Sequence, residues 1–66
     1  MTNIQIGDYI LITDKNDDHY LQIGHVDYIE RDYYDDIEKC WVQFANGQVE
    51  FNYKIEEQCK VLMFYR

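Results

Sequence analysis

Residues 38 to 53, Glu-Lys-Cys-Trp-Val-Gln-Phe-Ala-Asn-Gly-Gln-Val-Glu-Phe-Asn-Tyr, carry two alternating runs on either side of an Asn-Gly pair. That pattern predicts a β-hairpin. Asn46-Gly47 suits a two-residue type I′ turn, which needs positive φ at both central positions and fixes which residues face each other. The predicted pairs are Phe44 with Val49, Val42 with Phe51, Trp41 with Asn52 and Cys40 with Tyr53. Cys40, Val42, Phe44, Val49, Phe51 and Tyr53 then share an apolar face, and Trp41, Gln43, Glu50 and Asn52 point away. A slip of one residue would invert both faces.

The chain has 66 residues, near the size at which one hydrophobic core only just outweighs chain entropy. A single domain over residues 1–66 is expected, with little material for a deep catalytic pocket. Seven Tyr, three Phe and one Trp supply buried area in large pieces, and some of them must remain at the surface. Six Lys and Arg against thirteen Asp and Glu give a net charge of −7. Such a chain repels phosphate backbones and anionic lipid and favours basic partners. Direct nucleic-acid binding and membrane attachment are therefore not expected. No signal peptide is visible, and the apolar run Val61 to Tyr65 is too short to cross a bilayer, so the cytoplasm is the expected location. Cys40 and Cys59 read as free thiols in that setting, since a disulfide between them needs an oxidising compartment.

Along the chain, Ile4, Ile6, Ile10 and Ile12 fall on one parity with Gly7-Asp8 between them, which predicts a lead-in, a turn and a strand from Tyr9 to Thr13. Asp14 to His19 is a polar turn cluster. From Tyr20 to Arg31 the alternation resumes, but neither face is purely apolar. A bulge at Gly24 would switch parity, so that Leu21 and Ile23 before it share the core with Val26 and Tyr28 after it. Arg31 to Ile37 forms an acidic, tyrosine-bearing loop. Lys54 to Cys59 has no alternation and predicts one helical or 3₁₀ turn, after which Lys60 to Tyr65 forms a last strand. The expected fold class is all-β, a small five-stranded antiparallel barrel with a short 3₁₀ turn before its last strand.

The layout Ile6-Gly7-Asp8-Tyr9-Ile10-Leu11-Ile12, Gly24-His25-Val26, Trp41-Val42-Gln43-Phe44 and Val61-Leu62 resembles the SH3-like barrel group. In particular it is similar to the small accessory barrels of cyanobacteria and plastids, such as the photosystem I subunit IV family, with their Gly-x-x-Val-x-Ile start and Val-x-Phe third strand. The resemblance implies a non-catalytic accessory or docking subunit. The basic residues that family turns toward acidic electron carriers have no counterpart in this chain, and the Ala-Leu-Tyr-Asp-Tyr signature of signalling SH3 domains is missing.

Among candidate sites, Asp14, Asn16 and Asp18 match the first, third and fifth positions of a calcium loop, but His19 stands at the glycine position and His25 where the closing Glu belongs. His19, His25, Cys40 and Cys59 show no zinc spacing. The pairs Asp17-Asp18, Asp35-Asp36 and Glu56-Glu57 read as solvated carboxylates, since acid–base chemistry needs a displaced pKa in a pocket. No catalytic residue, metal or cofactor is expected. The outward Trp41 is the exception to a bland surface. With Tyr33 and Tyr34 it would make an aromatic platform rimmed by Asp32, Asp35 and Asp36, unless the Arg31–Tyr34 loop simply covers it. Asp17, Asp18 and Tyr20 are the candidate opposite wall. Aromatic faces with carboxylate partners suit Lys and Arg, and Tudor-type members of the SH3-like group bind methylated Lys or Arg in aromatic cages. The expected function is a non-enzymatic module, monomeric or weakly dimeric, that docks a basic or Lys/Arg-rich segment of a partner protein. The alternative is an acidic, phage-type inhibitor that mimics nucleic acid and blocks a nuclease or DNA-binding protein.

Overall fold

In the computed structural model, which describes residues 4–62, the strands are β1 (Tyr9–Ile12), β2 (Ile23–Arg31), β3 (Ile37–Phe44), β4 (Gly47–Asn52) and β5 (Cys59–Leu62), with the one-turn helix α1 (Ile55–Gln58) before the last. They form one antiparallel sheet in the order β4-β3-β2-β1-β5. The all-β expectation holds, with a qualification: among the described residues β4 and β5 are the two edges, and the barrel is not closed. No helix among the described residues is long and apolar enough to cross a membrane. The predicted last strand is described only as far as Leu62, and its remainder to Tyr65 lies outside the described residues.

β2 is shared by two halves of the sheet. Its first residues pair with β1, His25 pairs with both Tyr9 and Gln43, and the rest pairs with β3. The bulge that bends it is at Asp27, between the pairs Val26–Val42 and Tyr28–Trp41, and not at Gly24. The parity switch therefore comes three residues later than predicted. Val26 and Ile29 are buried, while Leu21, Ile23 and Tyr28 are exposed and do not join the core. Gly24 is in register opposite Ile10 and faces inward. A Cβ built on it would lie 2.4 Å from Val42 Cγ1 and 2.7 Å from Phe44 Cε1, so glycine here is a requirement of close approach. Ile6 also departs from expectation, being exposed where Ile4, Ile10 and Ile12 are buried.

The central hairpin forms with the predicted faces and a different register. Phe44 pairs with Gly47, Val42 with Val49, Trp41 with Glu50 and Cys40 with Phe51. Ala45 and Asn46 make the turn, and positive φ falls on Gly47 (137°) but not on Asn46, so the type I′ geometry is not adopted. Each pairing has moved by two residues, which preserves parity. The gain is aromatic packing: Phe44 and Phe51 meet edge to face at 6.1 Å, and the His19 ring stacks on Phe44 at 4.6 Å. Tyr53, predicted for the core, lies past the end of β4, where Asn52 Oδ1 accepts the Lys54 amide proton at 2.9 Å, and is 64% exposed.

The core runs from Ile4, Ile10 and Ile12 through Val26, Ile29, Val42 and Phe44 to Ile55, closed at its sides by Val49 and Val61. No buried side-chain nitrogen or oxygen among the described residues lacks a hydrogen-bond partner. Cys40 and Cys59 are free, buried thiols within it. Burial pushes Cys40 up to about 11 and Cys59 up to about 12, the latter helped by Cys40 and Glu56 nearby.

Candidate functional site

The β2–β3 connection is built on one carboxylate. Asp32 Oδ1 accepts the backbone N–H groups of Tyr34 at 2.9 Å and Asp36 at 3.0 Å, the Asx-turn chemistry that short acidic side chains supply. Main-chain bonds from Asp32 N to Asp36 O and from Asp35 N to Asp32 O close the loop, with Asp35 at φ 66°. Arg31 braces it from below. Its Nη1 donates to Asp35 O at 2.9 Å and its Nη2 to Ile4 O at 3.2 Å, tying the tip to the start of the chain. Tyr33 and Tyr34 project from this frame 95% and 81% exposed, their rings 5.4 Å apart and nearly perpendicular.

Beside the tip lies a cleft of about 320 Å³ lined by Asp32, Asp36, Ile37, Tyr53 and Glu56. Two segments distant in sequence meet there. The pairing of Lys39 with Asn52 brings the start of β3 alongside the end of β4, so Tyr53 and the first turn of α1 face Asp36 and Ile37. Three carboxylates, one tyrosine and one apolar wall make a recess suited to the cationic head and aliphatic stem of Lys or Arg. Neither Tyr53 nor Glu56 stands among the binding residues expected from sequence: the alternation predicts Tyr53 for the core, and Glu56 reads as one of a pair of solvated carboxylates.

Trp41 does not belong to this cleft. It is half-buried on the outer sheet face against Tyr28 of the neighbouring strand, ring centroids 5.5 Å apart, with Glu50 opposite. It is four strand positions along from Ile37, about 13 Å at the usual rise. Its cover comes from β2 and not from the Arg31–Tyr34 loop, because the Asp27 bulge turns Tyr28 outward.

Asp17, Asp18 and Tyr20 are in the loop before β2, at the opposite end of that strand from Asp32–Asp36, so they form no opposite wall. Their loop is held by its own side chains and by α1. Asp14 Oδ1 accepts the Asn16 amide and Oδ2 the Gln58 side chain; Asp17 Oδ1 accepts His19 N at 2.8 Å and Nδ1 at 3.0 Å. The Asn16 N–H, then Gln58, hold the Asp14 carboxyl below its usual range. Asp14 and Asp17 thus serve the turn; no group of His, Cys, Asp and Glu that could hold a metal occurs among the described residues. His25, Asp27 and Gln48 form a chain on the outer face. His25 Nδ1 donates to Asp27 Oδ1 at 3.1 Å and Gln48 Nε2 to Asp27 Oδ2 at 3.1 Å, which lowers the Asp27 pKa, His25 contributing most.

Comparison with protein-family models, with curated proteins and with solved structures finds no match to this chain.

Proposed function

We propose that this protein is a non-enzymatic interaction module that docks a basic, Lys- or Arg-bearing segment of a partner protein. The observation that carries the proposal is the cleft where Asp32, Asp36 and Glu56 converge beside Tyr53 and Ile37. It is flanked by two tyrosines held outward by a hydrogen-bonded loop. Aromatic area presented on a fixed frame binds at low entropic cost, and a negative rim selects cationic partners. The order β4-β3-β2-β1-β5, with a bent β2 shared between two halves and one helical turn before β5, supports an SH3-like reading of the sheet. A nucleic-acid mimic needs carboxylates ranged along one face in the manner of phosphates. Here the two acidic loops stand at opposite ends of β2, which favours docking at one of them.

The test is a titration of the isotopically labelled protein with blocked oligo-arginine and oligo-lysine peptides at low and high salt. Binding is expected to shift resonances of residues 32–37 and 53–56 and to weaken several-fold in Asp36→Asn, which keeps the backbone bonds of the tip. Shifts spread over both acidic loops and unaffected by Asp36→Asn would point to diffuse electrostatics and sink the cleft as the site.

A further inference from the structure

We propose that the open edge of β4 takes up an extended segment of the basic partner as an added strand, with a Lys or Arg of that segment entering the cleft beyond Asn52. This rests on the docking reading above and names its mode.

Among the described residues β4 is bonded in the sheet only to β3, which leaves one row of its backbone N–H and C=O groups facing outward. Edge strands are normally guarded by proline, lysine, a bulge or extreme shortness. Gly47–Asn52 has none of these: six residues in continuous register, with Glu50 its only charge. Val49 adds a second observation. It points inward and packs on the core, yet stays only partly buried because the sheet ends beside it. A strand laid along β4 would cover it with an inward side chain.

The edge and the cleft adjoin along the chain. Tyr53, which lines the cleft, follows directly on β4, so a segment hydrogen-bonded along the strand and running past Asn52 would come next to Tyr53. Main-chain bonds would then supply affinity and alternate side chains specificity. Charge selects the occupant. A second copy would bring together two chains of net charge −7, whereas a basic segment meets complementary charge at Glu50 and in the cleft.

The experiment uses two blocked peptides of alternating Lys and Val, one ordinary and one N-methylated throughout, which keeps its charges but cannot form a ladder. At saturation the ordinary peptide is expected to slow amide exchange at outward-facing β4 positions by about tenfold or more, and the N-methylated peptide to leave them unchanged. Equal binding of both peptides without β4 protection would overturn the added strand and leave the cleft as a docking site. Binding of neither at about millimolar concentration and low salt would remove both readings. Self-association of the free protein in sedimentation, with β4 amides already protected, would assign the edge to a second copy and overturn the proposal.

Discussion

Gly24 and Val42 approach so closely across the β2–β3 pair that a single methyl on Gly24 would sit 2.4 Å from Val42 Cγ1. Phe44 stands behind at 2.7 Å, and both neighbours are buried, so neither can swing aside without disturbing the core. Gly24→Ala is therefore expected to destabilise the fold by roughly 1–3 kcal/mol, the usual cost of overpacking. Urea denaturation of the variant checks it. A midpoint equal to that of the parent would mean that β2 and β3 are not this close.

Asp14 and Asp27 predict how stability depends on acid. Hydrogen bonds from Asn16 and Gln58 in one case, and from His25 and Gln48 in the other, hold both carboxyls below 3.8 in the folded chain. The folded state therefore binds these protons less readily than the unfolded state. Their contribution is present above that value and is lost as pH falls through the folded pKa values. The urea midpoint should drop as the pH falls below 3.8, less steeply in Asp27→Asn than in the parent. An identical acid limb in the variant would remove Asp27 from the linkage.

The thiols act at the other end of the scale. Cys40 and Cys59 are raised from 9.0 to about 11 and about 12, so the stability tied to their protonated form is complete below 9.0 and declines as pH rises through the folded values. Reactivity follows from the same burial, because the thiolate is the nucleophile. Alkylation of the folded protein near neutral pH should be slower than in urea by about a thousandfold or more, the folded-to-unfolded ratio of a small domain. Rapid labelling of either cysteine without unfolding would contradict its place in the core.

Alternation along 38–53 was enough to assign both faces of the hairpin, because parity survives any even shift in register. It could not choose between registers two residues apart. That choice lies with non-local packing, the stack of His19 on Phe44 and the contact of Phe44 with Phe51. The same limit hid the cleft. Tyr33, Tyr34 and the acids around them stand out in the sequence, but Tyr53 and Glu56 come beside two of those acids, Asp32 and Asp36, through the pairing of Lys39 with Asn52. With the predicted pairing of Cys40 and Tyr53, Tyr53 would have been inside. Trp41 shows the complementary case. Its outward parity was legible, while its cover by Tyr28 depends on a bulge at Asp27 that no glycine marks.

The frame of the candidate site gives the last prediction. Asp32 reaches the cleft and also accepts two backbone N–H groups of its own loop, so its charge and its hydrogen-bonding oxygen can be separated by substitution. Asp32→Asn keeps an acceptor oxygen and removes the charge; Asp32→Ala removes both. If the oxygen orders the tip, Ala should speed amide exchange at Tyr34 and Asp36 by about tenfold, equivalent to about 1.4 kcal/mol of lost hydrogen bonding, while Asn changes it little. Binding of a cationic peptide should fall in both variants, and further in Ala, because Tyr33 and Tyr34 lose their fixed placement as well as a negative neighbour. Arg31 continues to hold Asp35 and Ile4 from beneath, so the sheet itself should stay folded in both. Exchange at Tyr34 and Asp36 that is the same in Asp32→Ala as in the parent would show that main-chain bonds alone shape the loop, and the pre-organised tyrosine pair would lose its physical basis.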